Sequence, residues 1–331
     1  MTKKYILPHF LILFLFLIST SILAQSPIEE KKVDKPHLGL LDIAPQPHKG
    51  RIIGLTAWSL GSYTATMISL NNVWYSQYER SKFHFFNDNS EWLQMDKVGH
   101  AWTSYSEGLY GVALFRWAGL KDKKAIWIGG MVGTFFQAGI EVLDGFSARW
   151  GASVGDLVAN STGSALVIFQ ELAWQEQRFR LKYSAHRPDY KDFDTPLQLR
   201  AEDLYGTTIA EQLLKDYNGQ TYWLTVNPST FIKNPDSKFP KWLSIAVGYG
   251  GDGIFGGHFN QWTDDGGVYH DYENSIPRTR QYYLSVDVDL DRIPTNSKLL
   301  KVILGAVNVL KFPAPALEFG KEGTKFHAIY Y

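Results

Sequence analysis

The chain of 331 residues balances 33 basic side chains against 33 acidic ones and contains no cysteine. The balanced charge leaves no basic footprint for nucleic acid, which we therefore exclude as a partner, and the lack of thiols excludes disulfides and thiolate zinc sites. Aromatic residues make up 15% of the chain, a share that favours aromatic-rich strands or a position at a lipid interface.

The N-terminus has the three parts of a secretory signal peptide. Lys3 and Lys4 supply the positive region, Tyr5 to Ile18 is almost wholly apolar, and Ala24 is a small residue suited to cleavage. An uncleaved anchor helix is the alternative, but the apolar run is short against the ~20 residues of a membrane span, and Pro8 interrupts it. We predict a signal peptide over residues 1–24 and a mature protein in the cell envelope, in the periplasm or at the outer membrane.

The next two segments are a polar stretch and a predicted helical region. Residues 25–50 contain several prolines, which predicts a flexible arm. Residues 51–177 predict a four-helix bundle whose helices are only weakly hydrophobic, because serine, threonine and asparagine dilute the apolar residues. Gly129, Gly130 and Gly133 allow close approach between neighbouring helices. The predicted helices cover about 52–78, 96–118, 123–143 and 154–177.

The hydrophobic period changes after Gln177, so residues 178–331 predict a β-rich C-terminal region. Pro188 and Pro196 predict a loop, and a lysine-flanked apolar stripe between Ser297 and Phe312 predicts an amphipathic helix. The fold class is therefore α+β: a four-helix bundle followed by a small antiparallel β-containing region with an amphipathic helix. The predicted strands cover 178–183, 222–226, 242–249, 281–290 and 325–331, and a short helix covers 208–217.

Polar residues interrupt three of the predicted helices at helical spacing. On the second helix four of them fall within one stripe of roughly 80°, because they follow one another at i, i+4, i+8 and i+11. Ionisable groups in such segments are costly unless they are paired, hydrogen-bonded or bound to metal. We therefore predict a polar cluster inside the bundle, made of Asp96, His100, Glu107, Glu141, Asp144, Arg149, Asp156 and Asn160, with Ser104, Gln137 and Gly163 on the same faces.

One imidazole with several carboxylates is a ligand set for a divalent metal, either a hard cation or zinc. We take His100, Glu141, Asp144 and Asp156 as the candidate ligands. Each residue also has an ordinary structural interpretation, and these alternatives stay open. Asp96 and Asp156 can each serve the N-terminus of a helix, His100 can be a satisfied core histidine, Glu107 can face solvent, and Glu141 with Asp144 can form an exposed helix end.

The order of these residues resembles a known family pattern. Asp96-Lys97 with His100, then Glu141 with Asp144, then the series from Arg149 to Gly163 is similar to the YfiM-like envelope proteins of unknown function, over about residues 90–170. It resembles more distantly the VanZ-like membrane family, whose helices are more hydrophobic and which commonly has Gln where Asp144 stands. The first resemblance implies a YfiM-like core over about 90–177 that faces the periplasm, although the cysteine that anchors those proteins to lipid is missing here. Neither resemblance implies a reaction.

Two functions are compatible with these features. The first is a non-catalytic envelope protein that binds envelope lipid or a partner such as an outer-membrane protein, which the aromatic content and the amphipathic helix favour. The second is a metal-dependent hydrolase or transferase that acts on an envelope lipid or glycan through the His/Glu/Asp cluster. The metal content of the purified protein, with and without His100→Ala, distinguishes them.

Overall fold

The computed structural model describes residues 38–73, 75, 78–234 and 236–330. The predicted signal peptide and residues 25–37 of the predicted arm lie outside the described residues. Within them the chain forms helices first and then an antiparallel sheet, so the predicted α+β class is confirmed.

Five helices make up the N-terminal half of the described chain: α1 (Lys49–Val73), α2 (Met95–Trp117), α3 (Asp122–Gly130), α4 (Val132–Asp144) and α5 (Val154–Trp174). The helix predicted over 123–143 is divided at Met131. Gly129 and Gly130 precede the break, and a Cβ on Gly129 would lie 2.3 Å from the backbone nitrogen of Val112 in α2. Glycine is a poor helix former, so this close contact with α2 explains both the glycines and the interruption.

Close backbone contacts bring α2, α4 and α5 together at the level of the polar residues. A Cβ on Gly133 of α4 would lie 2.2 Å from the carbonyl oxygen of Ser104, and a Cβ on Gly163 of α5 would lie 2.2 Å from that of Ala101. No larger residue fits at either position without a shift in the helices. The predicted role of small residues in this region therefore holds, and it sets the spacing of the three polar faces.

Helix α1 lies at the edge of the bundle. Tyr63 stacks on Phe136 of α4 with ring centroids 4.8 Å apart, while Leu60 remains 64% exposed. The segment before α1, residues 38–48, is attached to the end of α2 by hydrogen bonds: the backbone N–H of Ala44 and the guanidinium of Arg51 both donate to the carbonyl of Trp117.

The C-terminal half is built on a six-stranded antiparallel sheet. Two-residue strands β1 (Phe85–Phe86) and β2 (Ala152–Ser153) form a separate parallel pair in the N-terminal half. The remaining strands are β3 (Phe179–Ala185), β4 (Gln220–Val226), β5 (Leu243–Asp252), β6 (Gln261–Thr263), β7 (Tyr269–Asp271), β8 (Thr279–Val288), β9 (Ala314–Gly320) and β10 (Gly323–Tyr330). The large sheet has the order β10-β9-β8-β5-β4-β3, and β6 pairs with β7.

Three helices accompany this sheet: α6 (Thr195–Tyr205), α7 (Ile209–Lys215) and α8 (Lys298–Val307). The loop predicted at Pro196 is wrong, because Pro196 lies in the first turn of α6, where proline is well tolerated, and Asp194 caps that helix. The amphipathic helix ends at Val307 instead of Phe312, since the chain after it pairs with β3 and then enters β9, a strand that the sequence pattern did not predict.

The large sheet curls until its two edges approach each other. The hydroxyl of Tyr330 in β10 lies 3.0 Å from Oγ1 of Thr221 in β4, and its ring lies 6.4 Å from that of His186, which follows β3. The outer edge of β3 is covered, because Tyr183 exchanges backbone hydrogen bonds with Val309 and Lys311.

The sheet and the bundle meet at the start of α2. Trp102 of α2 packs on Tyr183 and Tyr222, with ring centroids 4.8 and 6.3 Å away. Immediately before α2, the three residues from Trp92 to Gln94 all have positive φ, an unfavourable conformation for non-glycine residues. The backbone N–H of Trp92 donates to the carbonyl of Gly257 at 2.8 Å, so contacts from the sheet side hold this turn and thereby fix where α2 begins.

Candidate metal centre

His100 lies at the centre of the polar cluster. Its Nδ1 is 3.1 Å from Oδ1 of Asn160. An amide oxygen can only accept, so Nδ1 is the donor, and in the neutral imidazole the lone pair is then on Nε2. From Nε2 the nearest carboxylate oxygens are those of Asp96, Glu141 and Asp156, at 3.7, 3.9 and 3.9 Å. Fixing the tautomer through the second ring nitrogen is how proteins prepare a histidine to bind metal.

Asp96 lies in the first turn of α2 but is not its N-cap, which is Gln94. Its carboxylate instead accepts a hydrogen bond from the hydroxyl of Tyr217 at 3.2 Å and lies 3.2 Å from Nζ of Lys97. The side chain is 28% exposed, so within this group of His100 and three carboxylates it is the one most accessible to solvent.

Glu141 and Asp156 are held by the cap of α5. The hydroxyl of Ser153 accepts from the backbone N–H of Asp156 at 3.1 Å, and the backbone N–H of Ser153 donates to Oε2 of Glu141 at 2.8 Å. In a capping box, the side chain of Asp156 would accept the hydrogen bond from the backbone N–H of Ser153. Glu141 accepts that hydrogen bond instead, so the carboxylate of Asp156 faces His100 and Lys97. Both side chains are almost fully buried.

Lys97 is the only lysine that the described residues place among these carboxylates. Its Nζ lies 2.6 Å from Asp88, 3.2 Å from Asp96 and 2.9 Å from Asp156. Four carboxylates, those three and Glu141, thus surround two bases, Lys97 and His100. With all four carboxylates ionised and both bases protonated, the negative charges would exceed the positive ones by two.

The electrostatics reflect this excess. Burial raises the pKa of Glu141 to about 8 and that of Asp156 to about 6, with further increases from neighbouring carboxylates. Burial lowers the pKa of His100, but Asp96, Asp156 and Glu141 together raise it above its usual range. Three buried polar atoms of the cluster have no hydrogen-bond partner: Oε1 of Glu141, Oδ1 of Asp156 and Nδ2 of Asn160. Buried polar atoms are rarely left unpaired, so the cluster has room for a ligand.

The distances suit a small cation. Oxygen and nitrogen ligands bind zinc at about 2.0–2.2 Å, which places tetrahedral ligand atoms about 3.4 Å apart. One ligand atom each from Asp96, His100 and Asp156 lies within 4.8 Å of the others, and Oε1 of Glu141 is 3.9 Å from the imidazole. The distances from the imidazole to the three carboxylates, 3.7 to 3.9 Å, exceed this spacing by a few tenths of an ångström. The carboxylate oxygens would have to move towards one another by up to about 1.4 Å to complete a tetrahedral shell.

The other predicted residues lie around this centre. Asp144 accepts hydrogen bonds from the hydroxyl of Tyr75 and from the indole N–H of Trp150, and burial raises its pKa to about 6. Glu107 accepts from the amide of Gln137 at 3.2 Å, further along α2. Arg149 is exposed. Its guanidinium lies over the ring of Tyr78, so no contact of the described residues joins it to His100.

Sequence reasoning missed two members of the cluster. Asp88 pairs with Lys97 and accepts a hydrogen bond from the hydroxyl of Ser153 at 2.6 Å, and Tyr217 reaches Asp96 from the far half of the chain. Asp88 lies in a turn with no periodicity, and Tyr217 belongs to a separate element. Neither position carries a local signal that could have identified it.

Two further features of the structure are a cleft beside the sheet and an apolar helical stretch in the bundle. A cleft of about 530 Å³ lies at the mouth of the curled sheet, away from His100, and is lined by residues such as His186, Asp252, Gln281 and Glu318. Among the described residues, Asp122–Asp144 is the one helical stretch long and apolar enough to cross a membrane. Its inward face carries Gln137 and Glu141 and packs in the bundle, so this finding is weak evidence for a span.

The fold and the cluster together define an α+β protein with a histidine–carboxylate centre in its helical half. Residues 84–171 match a family described as predicted periplasmic lipoproteins (DUF2279), and this segment contains every candidate ligand. It covers about a quarter of the chain, and it supports an uncharacterised envelope protein family and an envelope location. No curated protein and no solved structure matches the chain.

Proposed function

We propose that the protein is an exported component of the cell envelope that binds a divalent cation in its helical bundle and acts through contacts with lipid or a partner protein, not through turnover. The observation that carries the proposal is the convergence of Nε2 of His100 with carboxylates of Asp96, Glu141 and Asp156. The family match supports the envelope location. A cleaved signal peptide, an outer-membrane position and the finer relation to YfiM-like and VanZ-like proteins are part of the same proposal.

The charge of the cluster supports a cation. A buried excess of two negative charges would be relieved either by protonation or by a divalent ion, and the raised pKa values of Glu141 and Asp156 favour protonation where no cation is bound. The ligand set predicted from the sequence included Asp144. We now propose Asp96 in its place, because both hydrogen bonds that the structure gives Asp144 lead to Tyr75 and Trp150.

One imidazole with three carboxylates favours zinc or manganese over calcium, which prefers six to eight oxygens. The test uses the full mature chain, stripped with a chelator, with Zn²⁺, Mn²⁺, Mg²⁺ or Ca²⁺ added separately. At a free metal concentration 100 times Kd we expect a stabilisation of about 2.7 kcal/mol in thermal unfolding.

The matched variants are His100→Gln, which should abolish this stabilisation, and His48→Gln, which alters an exposed imidazole and should preserve it. Asp96→Asn provides a second disruption at a partly exposed position that is less demanding for folding. Absence of a metal-dependent shift with all four ions would contradict the proposal and would leave Lys97 as the resident cation of a purely structural cluster.

A metal-dependent hydrolase or transferase acting on an envelope lipid or glycan is the second candidate. It is favoured by the partial exposure of Asp96, which would allow a substrate to reach the site. The pKa of Glu141, about 8, also suits a general acid or base. In that case Glu141 would not be a ligand, and a water molecule would fill the fourth position.

Glu141→Gln separates the two candidates. A closed site with Glu141 as a ligand should lose at least about tenfold in metal affinity, whereas a catalytic site should retain the affinity. Water-proton relaxation with bound Mn²⁺ adds a second measurement, because an exchangeable metal-bound water is expected only for the open, catalytic arrangement.

A further inference from the structure

The large sheet has most of its polar residues on the inside, beside a small cluster around Trp223 and Tyr283, and its outward residues are mainly apolar. Along β5, the buried Ser244 and Ala246 alternate with Ile245 and Val247, which are 49% and 54% exposed. Along β8, the buried Ser285 and Asp287 alternate in the same way with exposed Leu284 and Val286. An antiparallel sheet with one face in water normally shows the reverse pattern.

The strand register turns this alternation into continuous rows. Directly opposed residues in antiparallel strands point to the same side of the sheet. The outward side therefore carries one aromatic row and two largely aliphatic rows next to it. The aromatic row is Tyr183, Tyr222, Tyr249, Tyr282 and Phe319; the aliphatic rows are Leu181, Leu224, Val247, Leu284, Leu317 with Phe326, and Phe179, Val226, Ile245 with Val286.

The bundle covers only one side of this outward face. Trp102 of α2 lies against Tyr183 and Tyr222, the members of the aromatic row on β3 and β4. Tyr249 of β5 is half-buried, because its hydroxyl donates to the carbonyl of Leu93 before α2. The other outward residues of the rows on β5, β8 and β9 are exposed, with Tyr282 at 51% and Phe319 at 42%. From Leu243 to Tyr249 this exposed band measures about 20 Å along the strand, at roughly 3.3 Å per residue.

The borders of the band match a phospholipid surface. The aromatic row is followed by Arg280, which is exposed, and tyrosines with an arginine are typical of the level of lipid headgroups. At the opposite border the connection from β4 to β5 exposes Trp242 together with Lys233, Lys238 and Lys241. Lysines at this edge complement anionic headgroups, a preference worth about 1 kcal/mol for each lysine near the surface.

We propose that the outward face of β5, β8 and β9 is buried among the acyl chains of an anionic phospholipid bilayer, with Tyr282, Phe319 and the three lysines at headgroup level. A polar interior with an apolar, aromatic-bordered exterior is the arrangement by which sheets meet lipid. A protein partner would explain the exposed apolar residues but not the basic border. This inference rests on the envelope location in the proposed function and not on the cation site.

The chain has no cysteine, so a single introduced cysteine can carry an environment-sensitive fluorophore at a chosen position. We compare Val247→Cys on the outward face with Leu199→Cys on α6, which is 59% exposed and lies outside the band. With vesicles of phosphatidylethanolamine and phosphatidylglycerol, only the label at position 247 should shift to the blue. Both labelled proteins should float with the vesicles.

Two unlabelled variants test the components of the surface. Val247→Gln with Leu284→Gln should lower the partition coefficient by on the order of tenfold or more, since two apolar side chains lose their burial. Lys233→Glu, Lys238→Glu and Lys241→Glu together should lower binding to anionic vesicles and leave the weaker binding to phosphatidylcholine unchanged. Leu199→Gln with Ile209→Gln is the matched control and should bind like the parent.

Several results would overturn the inference. Flotation with no shift of the label at position 247 would place the lipid contact elsewhere on the protein. A protein that does not bind vesicles but forms a dimer in sedimentation, broken by the Val247/Leu284 variant, would show that a second copy covers this face. His100→Gln should bind vesicles normally, so a failure of the cation proposal and a failure of this one are distinguishable.

Discussion

The curled sheet and the helical bundle both bury charged side chains, but they satisfy them to different degrees. In the sheet, Lys182 is fully buried and uses all three of its donors, on Asp287 at 2.6 Å, the carbonyl of Val288 at 2.9 Å and the side chain of Asn308 at 2.8 Å. In the bundle, Oε1 of Glu141 has no donor within hydrogen-bond distance. The buried carboxylate of Asp287 thus has a cationic partner at 2.6 Å, whereas Oε1 of Glu141 has only the imidazole of His100 at 3.9 Å, so the second arrangement gains more from a ligand.

Two buried carboxylates, one in each region, differ in the direction of their pKa shifts. In the sheet, burial alone would raise the pKa of Asp289, but Arg180 and Asn308 lower it below its usual value. In the bundle, burial and neighbouring carboxylates together raise the pKa of Asp156 to about 6. A buried carboxylate with enough donors stays ionised, and one without them holds a proton until a cation replaces it.

The largest effect is expected where the close buried ion pair of the sheet is broken. Lys182→Met leaves Asp287 buried without its partner, so the free energy of unfolding should fall by about 3–5 kcal/mol in urea denaturation. Lys182→Met with Asp287→Leu should recover most of this loss, because no uncompensated charge remains. Lys191→Met, at a lysine whose side chain is 86% exposed, is the control and should change little. A loss below about 1 kcal/mol for the first variant would show that the sheet interior is hydrated and would remove the contrast.

A smaller effect is expected from the pH dependence of the bundle. Burial raises the pKa of Glu107 from 4.5 to about 8, so the folded state binds a proton that the unfolded state releases. The resulting stability is fully present below about pH 4.5 and is lost as the pH rises through about 8. The metal-free parent should therefore lose roughly 1–3 kcal/mol from this group between pH 5 and pH 8.

Glu107→Gln should flatten that part of the curve, and unfolding in urea at a series of pH values measures it. Glu202→Gln, at an exposed position on α6, is the matched control. Parallel curves for Glu107→Gln and the parent would mean that Glu107 is ionised at neutral pH in the folded protein, contrary to the expectation.

The sequence predicted much of the bundle and less of the sheet, for physical reasons. Helical spacing identified His100, Glu141, Asp156 and Asn160, because residues one turn apart share a face whatever the tertiary structure. The break at Met131 depends on contact with another helix, which no local pattern contains. The ligand role of Asp96 and the partnership with Tyr217 arise from a long-range contact between the two halves of the chain.

The sheet was harder to predict because its alternation does not reveal which face is inside. Residues such as Ser244, Ile245, Ala246 and Val247 give the period of a strand in either orientation. Only the register of neighbouring strands, and the curl that brings Tyr330 to Thr221, place the polar side chains inside. Strand β9 was missed because Pro313 and Pro315 flank its first residue, and proline within a run argues against a strand.

The smallest change in the free energy of unfolding is expected for Glu141→Gln, which replaces the carboxyl group whose Oε1 has no hydrogen-bond partner with an amide. This variant tests the difference between the two regions most directly. At pH 7 without metal, Glu141 is largely protonated, since its pKa is about 8. Glutamine keeps an oxygen that can accept from the backbone N–H of Ser153. Glu141→Gln should therefore change the free energy of unfolding by less than about 1 kcal/mol.

The isosteric Asp287→Asn removes the charge paired with Lys182 and should lower the free energy of unfolding by several times more. Urea denaturation of both variants in chelator, followed by the same measurement with added Zn²⁺, gives the comparison: metal should stabilise Glu141→Gln less than it stabilises the parent and Asp287→Asn. If Glu141→Gln lost 3 kcal/mol or more in chelator, Glu141 would be an ionised structural partner of His100, and the two networks would be of the same kind.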